Sequence, residues 1–111
     1  MSTSRIEPGT FAELQANAGA DFVRELVDTF AEEAPQILSE MRSALAAGAA
    51  ERFRRAAHSL KSNSSTFGAT RLAELARALE LAGLPASAAP VDALAHELAS
   101  SLAALQELAR G

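Results

Sequence analysis

His58 is the residue best placed to do chemistry. Arg54, Arg55, Lys61 and Ser62 stand three and four positions from it. On a helix these are its neighbours, so three cations and a hydroxyl surround the imidazole, with no acid in reach along the helix. Such surroundings favour the neutral, nucleophilic ring and would welcome a dianion attached to it. Lys61 is the only lysine, against nine arginines, so a sequence that otherwise chooses Arg sets one compact ammonium a single turn from the ring. An exposed nucleophile without a base, oxyanion hole or pocket of its own suggests a residue used by a partner. A surface histidine in a solvated basic face fits the same residues, and charge and periodicity leave both readings open.

Other constellations are missing. The chain has no Cys, no glycine-rich phosphate loop and no His pair at metal spacing. A carboxylate-bridged metal bundle would want Glu three positions before each His, and neither His58 nor His96 has it. No metal site is expected, and His96 reads as plain surface. The net charge of −4 is unevenly spread: −6 over residues 1–51, +5 over 52–73 and −3 over 74–111. An acidic chain with one basic stretch is a poor nucleic-acid binder, although five cations could hold one anionic group.

The elements that would position His58 follow from apolar spacing. Thr10 and Glu13 have the form of a capping box for a short helix over about 11–17, leaving 1–9 as an N-terminal tail and 10–111 as one domain. Asp21 then opens a long segment with Val23, Leu26, Val27, Phe30, Ala34, Ile37, Leu38, Met41 and Leu45 at steps of three and four. Pro35 inside it predicts a kink or a split, and Gly48 a stop. A third helix carries Phe53, Ala57, Leu60, Ser64 and Phe67 on one stripe, through a Ser-rich run of low helix propensity, to a stop at Gly68. His58 points about 100° away from that stripe. A fourth helix over 70–82 buries Leu72, Leu75, Ala76 and Leu79. A fifth, from Pro90, buries Val91, Leu94, Leu98, Leu102, Leu105 and Leu108.

Composition agrees. Twenty-seven Ala and 15 Leu, against five Val plus Ile in 111 residues, argue for packed helices rather than a sheet. Short connections between long helices make neighbours antiparallel. The expected fold is all-α: an antiparallel up-down four-helix bundle with a short additional N-terminal helix. No run of about 18 apolar residues spans a membrane, and Met1-Ser-Thr-Ser-Arg5 lacks a signal-peptide core. A cytoplasmic protein is expected.

The run Ala57-His58-Ser59-Leu60-Lys61-Ser62-Asn63-Ser64-Ser65-Thr66-Phe67-Gly68-Ala69 resembles the signature of histidine-containing phosphotransfer (HPt) domains. In that signature a His is followed by Leu two on, Lys three on, a small residue, a Ser-rich stretch and Gly ten on. Glu33-Ala-Pro35, Leu72-Ala-Glu-Leu75 and Leu79-Glu80 also look like the family's flanking helices. The likeness covers roughly residues 10–110. The chain departs from the family at Ser62, where Gly is usual.

The resemblance implies that His58 is the phosphoacceptor, taking a phosphoryl group from a receiver-domain aspartyl phosphate and passing it to another receiver in a multistep two-component relay. Partners would be receiver domains of hybrid histidine kinases and response regulators. The domain would work as a monomer and a phosphocarrier with no cofactor of its own, Mg²⁺ being held by the receiver. Lys61 would supply the electrostatic partner of the phosphoryl group, and Gly68 would end the helix. Arg54, Arg55, Ser62 and Ser65 would contact the partner. Reflection about the Gly48 turn sets residue 58 beside about 38, which adds Pro35, Leu38, Ser39 and Arg42 to the expected docking rim. Two alternatives stand beside this: the phosphotransfer domain of a chemotaxis-type histidine kinase, phosphorylated from ATP by a separate kinase domain, or a helical adaptor that is never phosphorylated.

Overall fold

Apolar residues at steps of three and four become the buried faces of helices. In a computed structural model, which describes residues 5–110, five helices follow one another: α1 (Pro8–Ala18), α2 (Ala20–Ala47), α3 (Ala50–Thr66), α4 (Thr70–Ala82) and α5 (Ala89–Arg110). The packed pairs are α2 with α3, α3 with α4, α4 with α5 and α5 with α2, a closed circuit, and α1 lies on α2. Val23, Val27, Phe30, Ala34 and Met41 from α2, Phe53, Ala57 and Leu60 from α3, Leu72 and Ala76 from α4 and Val91, Leu94 and Leu105 from α5 share one core.

Several local expectations change. Pro35 neither splits nor ends α2, which runs through it as a single helix with Pro35 exposed. On that side solvent can satisfy the carbonyl that loses its partner. Gly19, not Asp21, occupies the N-cap of α2. Leu26, Ile37, Leu38, Leu45, Leu75 and Leu102 are half-buried at the margins of the core, and Leu108 is 43% exposed. In α5 the buried line passes through Ser101 and Ala109, because helical geometry selects the azimuth and small residues on it are buried as readily as leucines.

The Ser-rich end of α3 stays helical by bonding back to its own turn. Ser64 Oγ donates to the Leu60 carbonyl at 2.6 Å and Thr66 Oγ1 to that of Ser62 at 3.1 Å. Phe67 then caps the helix and stacks on Phe30, ring centroids 5.2 Å apart. Gly68 follows at φ +78.

Residues 5–9 were expected as tail but are built into the fold; residues 1–4 lie outside the described residues. Ile6 is 1% exposed and bridges Ala69, and the Glu7 N–H donates to the Gly68 carbonyl at 2.7 Å. Glu7, not Thr10, caps α1: its carboxylate accepts from Thr10 N at 2.6 Å and Thr10 Oγ1 at 2.8 Å, with Pro8 in the first turn. Arg5 reaches the buried Glu97 carboxylate at 3.2 Å, which also accepts from Ser101 Oγ at 3.2 Å. A lone Ile in a polar run has no periodicity to betray its burial.

Candidate functional site

On α3, Arg54, Arg55, His58, Lys61, Ser62 and Ser65 fall within an arc of about 120° opposite Phe53 and Leu60. All are exposed except Lys61, which is half-buried. The helix that buries its apolar stripe therefore lifts this polar set to solvent together. Lys61 leans toward α4, where Glu80 meets it.

Glu80 organises the site. Its Oε2 lies 2.7 Å from His58 Nδ1 and its Oε1 3.0 Å from Lys61 Nζ. The side chains are 53%, 28% and 13% exposed for His58, Lys61 and Glu80 respectively, so the carboxylate sits lowest and the ring highest. The hydrogen bond from Lys61, and then that from His58, hold the Glu80 carboxyl below its ordinary range. An ionised carboxylate only accepts, so Nδ1 carries the hydrogen. In the neutral ring the lone pair is then on Nε2. The expectation that no acid stands near His58 holds along α3 only: the acid arrives from the next helix.

Arg54 is engaged with Glu51 on its own helix at 3.1 Å through Nε, and Glu51 raises its basicity. Arg55 makes no ion pair among the described residues. Ser65 lines a hollow of about 380 Å³ with Lys61, Gly68 and Arg77.

The α2 residues beside this face are not the expected ones. The cleft next to Arg55 and Ser59 is walled on α2 by Glu33, Ile37 and Glu40. Pro35, Leu38, Ser39 and Arg42 lie about half a turn around the helix from that wall, and Arg42 Nη1 is bound to Asp92 of α5 at 2.9 Å. Reflection about Gly48 gives position along α2 but says nothing of azimuth, which is why the expected rim is displaced. His96 is exposed on α5. No group of three or more His, Asp or Glu side chains among the described residues could hold a metal ion, and none of the helices is long and apolar enough to cross a membrane.

Residues 25–108 match the family model described as Hpt domain. No curated protein matches the chain. Among solved structures, the chain is similar to the crystal structure of histidine-containing phosphotransfer protein B (HptB) from Pseudomonas aeruginosa PAO1. The TM-score is 0.78 and the identity 28%, with 98% of this chain and 94% of that chain covered.

Proposed function

The chain belongs to the Hpt domain family, whose business is histidine phosphotransfer in two-component signalling, and from that premise we propose that His58 carries the phosphoryl group between receiver domains in a multistep relay. The observation that carries this reading is the Glu80 carboxylate 2.7 Å from His58 Nδ1 on a half-exposed ring. With Nδ1 holding its hydrogen, the Nε2 lone pair attacks the phosphorus of the receiver's aspartyl phosphate. The N–P bond forms as the P–O bond breaks, and the aspartate leaves as carboxylate. Positive charge develops on the ring, and Glu80 beside Nδ1 neutralises it, as a buried carboxylate does for a catalytic histidine. Attack by a second receiver's aspartate reverses these steps and returns the neutral ring.

Lys61 neutralises charge on the transferring group, with Arg54, Arg55, Ser62 and Ser65 at the contact rim. Positioning and charge are what phosphoryl transfer chiefly requires. We assign Mg²⁺ to the receiver partner and none to this domain. We read α2–α5 as an antiparallel up-down four-helix bundle with α1 laid against it, acting as a monomer in the cytoplasm without binding nucleic acid. The test is transfer from a panel of ³²P-labelled receiver domains to wild type and His58→Gln. Acid-labile label on wild type alone supports the relay. Label only from ATP through a chemotaxis-type kinase domain moves the protein to that class, and no label from any donor leaves a helical adaptor.

A further inference from the structure

Resting on the relay reading above, we infer that the cleft between α2 and α3 selects among receiver domains by charge, through Glu33 on one wall and Arg55 on the other. The cleft has a volume of about 490 Å³, with Ile37 and Ala56 among its lining residues, and it reaches Ser59, the residue next to His58. At one end the charges are already paired. Arg52 holds Glu40 through Nε at 2.8 Å and Nη2 at 3.2 Å, and its Nη2 also donates to Ser43 Oγ at 3.2 Å.

Seven residues from Glu40 along α2, or about 10 Å, Glu33 is exposed and has no ion pair among the described residues; Arg55 on the opposite wall has none within ion-pair distance either, its charge acting on Glu40 and Glu51 from further off. A partly apolar cleft is thus lined by an acid and a base that form no ion pair, unlike Glu40 and Arg52. The occupant that satisfies both is a receiver face presenting an apolar side chain over Ile37, a carboxylate toward Arg55 and a cation toward Glu33. A receiver with either sign reversed meets like charge, which rejects it. Neither residue touches His58, Lys61 or Glu80 within hydrogen-bond distance, so the selection acts on docking.

The probe is the phosphorylated receiver domain that charges wild type fastest in the panel, titrated against Glu33→Lys, Arg55→Glu, the double reversal and Glu107→Lys. Each rate is divided by labelling of the same variant with phosphoramidate, a small donor that needs no docking, so that changes in His58 reactivity cancel. Each single reversal lowers the normalised rate about tenfold at low receiver concentration and recovers toward wild type at saturation. The double reversal, which leaves net charge unchanged, loses at least as much, while Glu107→Lys on α5 keeps the wild-type rate. Single variants within twofold of wild type, or a double reversal that matches it, overturn the inference. Wild type labelled by phosphoramidate but by no receiver overturns the relay reading itself, a different result.

Discussion

Glu80 Oε2 lies 2.7 Å from His58 Nδ1, 22 residues further along the chain and on a different helix. One carboxylate thereby fixes which ring nitrogen keeps its hydrogen and, through its other oxygen, holds Lys61 beside the ring. Replacing Glu80 with Ala removes the acceptor that distinguishes the two nitrogens. The expected outcome is a mixed tautomer population by ¹⁵N NMR of His58 and a transfer rate roughly 10–100-fold lower, the scale of losing an orienting partner. Glu80→Gln, which keeps an acceptor oxygen, recovers part of the tautomer preference but not the charge.

Stability should follow the same carboxylate. Lys61 first and His58 second hold its titration below the ordinary 4.5. A carboxyl depressed in the folded state gives its full stabilisation above the unfolded-state value and loses it as pH falls through the folded-state value. Wild type therefore outlasts Glu80→Gln in urea at neutral pH, and the gap closes progressively below about pH 4.5. A gap that stays constant as pH falls and the carboxylate titrates contradicts this assignment.

His58→Gln removes acid-labile, alkali-stable label completely, whereas His96→Gln keeps it at wild-type level. Both side chains are exposed, so neither change should unfold the chain, and circular dichroism of both variants checks that.

Lys61→Ala slows transfer while the melting temperature stays within a few degrees of wild type, since a half-exposed ammonium contributes little to packing. Single-turnover kinetics on the folded variant separate this from a structural defect. A variant that melts far below wild type would show that Lys61 secures α3 to α4.

Gly68→Ala costs more than Gly48→Ala. Both glycines have positive φ, +78 and +67, a conformation that disfavours a side chain by about 1–2 kcal/mol. At Gly68 a Cβ would also stand 3.0 Å from Thr10 Cβ and 3.1 Å from the Glu7 carbonyl oxygen, whereas nothing lies within 4 Å at Gly48. Urea midpoints of the two variants compare the terms directly. Equal losses would mean that the N-terminal segment yields without cost.

Local chemistry alone determined much of this protein. The apolar spacing along Val23–Met41 and Phe53–Leu60 specifies helices and their buried faces, and it turns His58 outward, because side-chain direction on a helix is set by residue count. The bounds 70–82 for α4 coincide with the structure for the same reason. The site was legible as far as one helix extends: His58, Lys61, Arg54 and Arg55 share α3 and hence a face. What lay between helices was not. Glu80 is one acid among 14 until α4 folds back on α3. Ile6 has no periodic neighbours to mark it as core, and the wall of α2 beside His58 depends on a rotation about the helix axis that numbering from a turn does not carry. Those relationships are azimuthal and long-range, and tertiary packing decides them by choosing which side of each helix is buried.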